Sequence, residues 1–166
     1  MIESANTLTT EKAVQLFEKF HIFTRAELES REEIIYETYA KSINIEALTM
    51  IDMASKQIIP AVVKYSQKLA KTVLDVKAAG VEPVVQSELL AKVNSKLTEM
   101  KEALSVLEKE EAAASAMEDV KAQSFRYKDV VIPAMDALRA PADELEMMVD
   151  KADWPFPTYG DLMFEV

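Results

Sequence analysis

Apolar side chains recur along most of this chain at alternating steps of three and four residues, which is the spacing of one face of an α-helix. The most regular stretch covers about 84–111, where the intervening positions are largely Lys, Glu, Ser and Asn. Its apolar positions are Leu90, Val93, Leu97, Met100, Leu104 and Leu107. The pattern predicts an amphipathic helix that buries one face against a neighbour.

A longer helix is predicted before it, from Thr24 to Ala79. Thr24 and Glu27 have the spacing of a capping box, which marks a helix start. Gly80 stands where a helix C-terminus commonly takes the left-handed conformation. The run between these signals predicts one helix of about 54 residues, roughly 80 Å long at 1.5 Å per residue.

Pro60 lies inside this long helix and is expected to kink it rather than end it, because the apolar pattern continues on both sides. A break near residues 42–44 stays open as an alternative. The predicted buried positions are Leu48, Ile51, Ile58, Val62, Tyr65, Leu69 and Val76.

Two further helices are predicted at the ends of the chain. A short one covers about 11–20 and is followed by a linker at 21–23. The last covers about 116–150, starting at a second capping box formed by Ser115 and Glu118. Pro133 and Pro141 lie within it, so two kinks or one short break are expected. Its predicted buried positions are Met117, Val120, Tyr127, Val131, Ala134, Leu138, Leu145 and Met148.

These elements predict an all-α fold: an elongated antiparallel helical bundle or long helical hairpin with a non-helical aromatic C-terminal tail. The predicted organisation is a short helix and linker at 1–23, a bundle at 24–151 and a docking tail at 152–166, within one domain. The first half of the long helix then needs cover from the short first helix, the tail or a partner. The residues to be covered are Ile34, Ile35, Tyr39 and Ile43.

The tail holds the only Trp and two of the six Pro. Pro155 and Pro157 fix their own φ and bias the preceding residues away from helix, so a non-helical segment is expected. So much aromatic surface is expected to dock, either on this chain's own helices or on another domain or subunit.

Charge and composition limit the classes of partner that are expected for this chain. The formal charge of −10 disfavours nucleic acid and anionic membranes. Seven acidic residues against one base in 141–166 suit either a solvated face or a docking face for a basic partner. The absence of cysteine, of a signal peptide and of a long apolar run fits a cytoplasmic protein. Met1 is expected to be an added start residue, because the residues after it resemble the middle of a longer protein.

The search for reactive groups is negative. The single histidine, His21, is expected to serve at a helix end or in packing. Two glycines allow no phosphate-binding loop, and one histidine allows no di-iron motif. The methionines are expected to pack in the core, with a Met-lined peptide groove as the alternative. No catalytic, cofactor-binding or metal-binding residue is therefore assigned, and the residues indicate a helical assembly or docking module.

Several stretches resemble the C-terminal region of type III glutamine synthetases. The most specific is the tail motif Trp-Pro-Phe-Pro-Thr-Tyr-Gly-Asp-Leu, which begins at Trp154. The matching stretches are 11–20, 23–31, 43–54, 58–63, 125–150 and 154–164. The resemblance implies a dodecameric parent enzyme that joins ammonia to glutamate with ATP and Mg or Mn. It also implies that the catalytic residues lie outside these residues.

The resemblance implies that this region packs on the catalytic domain or on neighbouring subunits of the same enzyme. The expected docking anchors are Trp154, Phe156, Tyr159 and Phe164. A regulatory role, in which the region positions a loop over the active site, is a second hypothesis. A free-standing coiled-coil adaptor is the alternative from another class.

Overall fold

The computed structural model describes residues 2–157 and 159–164, without the side chain of Tyr159. Within these ranges every regular element is a helix, which confirms the all-α prediction. The elements in chain order are α1 (Ile2–Ala5), α2 (Glu11–Lys19), α3 (Arg25–Met53), π1 (Ala54–Ile58), α4 (Ile59–Ala78), α5 (Val84–Ser115), α6 (Val120–Arg126), π2 (Tyr127–Val131), α7 (Ile132–Glu146) and α8 (Tyr159–Phe164).

Contacts group the chain into two compact units. The first contains the residues up to Leu48 together with Lys109–Pro133. The second contains Thr49–Glu108 together with the chain from Ala134 onward. Helices α3, α5 and α7 each contribute residues to both units. The division predicted from the sequence, with boundaries near residues 23 and 151, stays a prediction.

The first unit begins with a corner between α2 and α3 that is built from helix caps. The Thr24 N–H donates to Glu27 Oε2 (2.7 Å), and the Glu27 N–H donates to Thr24 Oγ1 (3.4 Å). This confirms the predicted capping box. His21 has a φ of +53° and follows the last turn of α2, where its N–H donates to Glu18 O (3.0 Å). His21 therefore serves at a helix end, as expected.

The core of the first unit is covered by a helix that the sequence pattern did not indicate. Ile2 and Ala5 of α1 are buried together with Tyr36 of α3. Tyr36 also lies 6.1 Å from the ring of Phe125. Ile35 and Tyr39 pack against this cluster, so α1 and α6 contribute to their expected cover, while Ile34 stays exposed.

The second unit contains the regular apolar face of α5. Val93, Met100, Leu104 and Leu107 are buried as predicted, and Leu90 and Leu97 are half-buried. Ala54, Ile58 and Val62 are buried on the preceding helical run. In the first unit, the prediction that Leu48 is buried is wrong: its neighbour Ala47 is buried instead and Leu48 is exposed, because the helix presents that adjacent position inward.

Both π-helical turns end two residues before a proline. In π1 the Ile59 N–H donates to Ala54 O, five residues back, and Pro60 follows. In π2 the Ile132 N–H donates to Tyr127 O, and Pro133 follows. Proline has no N–H and its ring crowds the carbonyl four residues earlier, so a wider turn lets the helix continue. The helical run from Arg25 to Ala78 is accordingly unbroken, and the alternative break near 42–44 is absent.

Gly80 closes this run as predicted, with a φ of +83°. Its N–H donates to Lys77 O (3.0 Å), and the Val81 N–H donates to Val76 O (3.3 Å), which is the hydrogen-bond pattern of a Schellman cap. The chain then turns at 81–83 into α5, also as predicted.

The predicted start of the last helix is wrong. Helix α5 continues to Ser115 through a run of alanines, and α6 begins at Val120. Asp119 caps it by accepting from the Ala122 N–H (2.9 Å). An aspartate one residue before a helix satisfies a free N–H directly, and this local geometry outweighs the pattern at Ser115 and Glu118. Helix α7 ends at Glu146, four residues before the predicted end.

The prediction of a wholly non-helical tail is also wrong. Residues 154–157 are non-helical, but Tyr159–Phe164 form α8. Pro155 and Pro157 restrict only themselves and the residues before them, so the chain is free to become helical beyond them.

Candidate functional site

The C-terminal segment, defined as residues 147–157 and 159–164, forms one wall of the candidate site in the second unit. It leaves α7 through a turn in which Asp150 Oδ1 accepts from the Ala152 N–H (2.8 Å). The Trp154 N–H donates to Asp150 O (3.1 Å). These bonds fix the direction of the chain after α7 and place Asp153 and Trp154 against the helices of the unit.

Asp153 ties the segment to α4. Its side chain is only 2 % exposed, and Lys68 Nζ lies 2.7 and 2.5 Å from its two carboxylate oxygens. Lys64 lies one helical turn earlier, and its Nζ is 3.4 Å from Asp153 Oδ1. The hydrogen bond from Lys68 lowers the pKa of Asp153 below its ordinary value of 3.8, with burial opposing and Lys64 assisting. An enclosed carboxylate requires such partners, so this contact orients the segment.

An apolar pocket with a cavity volume of about 280 Å³ lies under the segment. The helices of the unit supply thioether and aliphatic side chains, namely Met50, Met53, Ile58, Met100 and Leu138. Ala54 and Ile58 belong to π1, so the widened turn is itself part of the wall. Methionine side chains adapt to irregular shapes, which suits a pocket with this lining.

The segment supplies the aromatic side of the pocket through Trp154, Phe156, Pro157 and Leu162. Trp154 and Phe156 are half-buried there. Two of the four predicted docking anchors are therefore brought together against this chain's own helices. Phe164 is exposed, and the side chain of Tyr159 lies outside the described part of the structure. An ion pair between Lys151 and Asp161 joins the start of the segment to α8.

Three charged residues of α7 line the pocket: Arg139, Asp143 and Glu146. Arg139 Nε lies 3.3 Å from Asp143 Oδ2, so these two charges compensate each other. Glu146 is half-buried and makes no hydrogen bond or ion pair with the residues that the structure describes. The pocket therefore combines an apolar body with one uncompensated negative charge.

Most of the acidic residues near the C-terminus have partners within the chain. Asp153 pairs with Lys64 and Lys68, and Glu144 lies 2.9 Å from Lys96 Nζ. Asp143 and Asp161 pair with the bases described above. The position of Glu165 lies outside the described residues.

A cluster of hydrogen-bonded polar residues lies in the core of the first unit. The prediction from the sequence did not include it. Asn44 Nδ2 donates to Glu111 Oε1 (2.7 Å) and to Tyr127 Oη (2.7 Å). Burial raises the pKa of Tyr127. The three residues satisfy one another's polar groups, as buried polar groups require. The available signal was the step between Asn44 and the small residues Ala40 and Ala47, which places an amide on the inward face of α3.

In the ranges 2–157 and 159–164 there is no group of three His, Cys, Asp or Glu side chains arranged to hold a metal ion. No helix in the same ranges is long and apolar enough to cross a bilayer.

The sequence of this chain is similar to glutamine synthetases. Residues 1–77 match the family described as the glutamine synthetase C-terminal domain. A glutamine synthetase of Butyrivibrio fibrisolvens is 33% identical over 159 residues, which cover 95% of this chain and 23% of that protein. Residues 1–77 are therefore similar to a glutamine synthetase C-terminal domain, and nearly the whole chain is similar to part of these glutamine synthetases. This confirms the resemblance predicted from the sequence motifs.

Two further relatives extend the comparison. A type-3 glutamine synthetase of Dictyostelium discoideum is 30% identical over 173 residues, covering 98% of this chain and 23% of the relative. A glutamine synthetase of Bacteroides fragilis (strain YCH46) is 28% identical over 149 residues, covering 86% of this chain and 20% of the relative. The chain thus spans about a fifth to a quarter of the curated relatives that it matches.

Proposed function

We propose that this chain is the C-terminal assembly domain of a type III glutamine synthetase. Its parent enzyme joins ammonia to glutamate in the cytoplasm with ATP and Mg or Mn, and its catalytic residues lie outside this chain. The support is the family match together with a relative that is named as a type-3 enzyme. The domain itself packs on the catalytic domain or on neighbouring subunits.

The observation that carries this proposal is the exposed apolar surface of α8. Leu162, Met163 and Phe164 are 70, 74 and 80 % exposed. Met147, at the start of the C-terminal segment, is exposed as well. Contiguous exposed apolar residues mark interaction surfaces in soluble proteins, because burying them against a partner removes apolar area from water.

A second exposed apolar group supports the same function. Leu74, Val81, Val84 and Val85 lie within twelve positions around the turn between α4 and α5, and all four are exposed. Because more than half of each side chain is exposed, these four residues contribute little to the core of the second unit. They gain free energy only when another surface covers them.

The test uses the full-length enzyme with Leu162, Met163 and Phe164 replaced by serine. We expect a fall in oligomeric mass by light scattering, with loss of activity following from disassembly. The control replaces three exposed charged residues of the first unit, Glu29, Glu33 and Lys109, by serine, and we expect it to keep the assembly. Unchanged mass and activity in the first variant would contradict the proposal. Activity lost in an intact assembly would favour the regulatory role instead.

A further inference from the structure

We propose that the pocket beneath the C-terminal segment binds a small organic cation with an apolar body, of the arylalkyl or alkyl primary amine class. The proposal concerns a ligand site within the second unit and goes beyond the assembly role. It rests on the size of the cavity, the type of side chain that lines it and the charge left at its edge.

The size of the cavity limits the ligand. Its volume of about 280 Å³ lies just below the ~300–1,000 Å³ range that is typical of ligand pockets. A nucleotide or a folded peptide segment is too large for it. A molecule with one ring or a short alkyl chain is of the right size.

The lining determines the body of that molecule. Thioether, aliphatic and aromatic side chains surround the space, among them Met50, Met53, Met100, Trp154 and Phe156. Few polar groups converge on it, so an uncharged polar ligand would lose hydrogen bonds to water on entry. A hydrocarbon body gains from the transfer instead.

The charged residues at the edge of the pocket determine which head group the ligand should have. Arg139 and Asp143 neutralise each other, which leaves Glu146 as the uncompensated charge. Trp154 adds an aromatic face, and indole is the ring that cations prefer. The net charge of −10 on the chain further attracts a cation and repels an anion. A protonated amine therefore fits both the edge and the surrounding field.

The chain contains a built-in reporter for this site, because Trp154 is its only tryptophan and lines the pocket. The experiment titrates the 166-residue chain with 3-phenylpropylamine and follows the tryptophan emission. The matched compounds 3-phenylpropanol and 3-phenylpropionate have the same body with a neutral or a negative head. We expect saturable binding of the amine, at least tenfold weaker binding of the alcohol and no binding of the carboxylate.

Two substitutions separate the pocket charge from the general charge of α7. Glu146→Gln is expected to weaken amine binding five- to tenfold. Glu144→Gln removes a charge two residues away that pairs with Lys96 and does not line the pocket, and we expect less than a twofold effect. Ala142→Leu fills part of the cavity and should weaken the amine and the alcohol alike, which gives a second test that does not depend on Glu146.

Equal binding of the amine, the alcohol and the carboxylate would overturn the assignment of a cation. Equal effects of Glu146→Gln and Glu144→Gln would also overturn it. If none of the three compounds changes the tryptophan emission in a saturable manner, the assignment of a ligand site to this pocket is overturned. Leu162 of α8 lines the pocket, but the titration uses the isolated chain, so its outcome does not depend on whether the parent enzyme assembles through α8.

Discussion

At the scale of single residues, Asp153 makes a buried ion pair although the sequence around it suggests an exposed acidic surface. In the sequence it is one of several acids near the C-terminus, and those acids were interpreted as a solvated or docking face. In the structure it is enclosed and held by two lysines of α4, which lie 85 and 89 positions earlier in the chain. Its charge therefore favours the folded state.

This contact predicts a specific pH dependence of stability. The pKa of Asp153 is lowered in the folded state by the hydrogen bond from Lys68, so its contribution is present above the ordinary value of 3.8. It is lost as the pH falls through the folded-state value. We expect Asp153→Asn to lower the thermal midpoint at pH 7, with the difference from the unsubstituted chain shrinking below about pH 4.

The control for this measurement is Asp136→Asn. Asp136 is exposed on α7 and makes no ion pair among the described residues. Its substitution should leave the melting curve nearly unchanged at each pH. A difference for Asp153→Asn that stays constant from pH 7 to pH 2.5 would contradict the role assigned to its charge.

Two residues with positive φ give a second prediction at this scale. Gly80 and His21 both take the left-handed conformation after a helix, at +83° and +53°. A Cβ atom added at Gly80 would have no neighbour within 4 Å, so the effect of a substitution there is conformational rather than steric. This region costs a residue with a side chain roughly 1–2 kcal/mol, and the cost is smaller for asparagine than for alanine.

We expect Gly80→Ala to destabilise the chain by about 1 kcal/mol, Gly80→Asn by less, and His21→Gly to stabilise it by up to about 1 kcal/mol. Chemical denaturation would measure all three free energies of unfolding. Equal effects of alanine and asparagine at Gly80 would show that its backbone conformation is not the cause.

The paired π turns are the main feature at the scale of elements. Each contains five residues and ends two positions before a proline, and each is followed without interruption by an α-helix. The proline explains why the hydrogen bonding widens, and the extra residue in the turn keeps the apolar faces on both sides directed inward. In π1, Ala54 and Ile58 are buried before the proline and Val62 after it.

A deletion tests whether π1 holds one extra residue. Removing Gln57 together with Pro60→Ala should convert the turn to regular α-helix, and we expect the free energy of unfolding to change by no more than about 2 kcal/mol. Removing Gln67 from the regular helix α4 is the matched control. It rotates all following side chains by about 100° relative to those before, so we expect loss of the cooperative transition in circular dichroism. Equal damage from both deletions would contradict this account of the π turn.

At the scale of the whole molecule, three helices contain residues of both compact units. Because α3, α5 and α7 cross the boundary along the chain, the loss of one unit would break hydrogen-bonded turns that continue into the other. Helix formation is cooperative along a continuous segment. The connectivity therefore predicts that the two units unfold in one transition.

Leucines from the two cores test this prediction. Leu28 is buried in the first unit and Leu104 in the second, and either change to alanine should cost about 2–5 kcal/mol. Far-UV circular dichroism reports all helices, whereas Trp154 fluorescence reports the second unit. We expect both probes to shift together in Leu28→Ala and in Leu104→Ala. A Trp154 midpoint that is unchanged in Leu28→Ala would show that the units unfold separately.

Features that depend on neighbours along the chain could be predicted from the amino-acid sequence alone. The capping box at Thr24, the left-handed Gly80 and the apolar face of α5 are all where the pattern predicts them. Helix starts, helix ends and helical periodicity follow from residues within about four positions of one another, so they can be read locally. The error at Ser115 arose because two local capping signals competed. The error in the tail arose because the prolines were expected to prevent a helix beyond the residues that they restrict.

The grouping of residues in the candidate site depends on contacts between distant parts of the chain and could not be predicted from the sequence. The pocket joins residues from Met50 to Leu162, Asp153 joins Lys68, and Asn44 joins Glu111 and Tyr127. Many pairings of the same amphipathic helices satisfy the hydrophobic pattern equally well. The choice among them depends on packing and on satisfying buried polar groups across dozens of residues, and no local pattern contains that information.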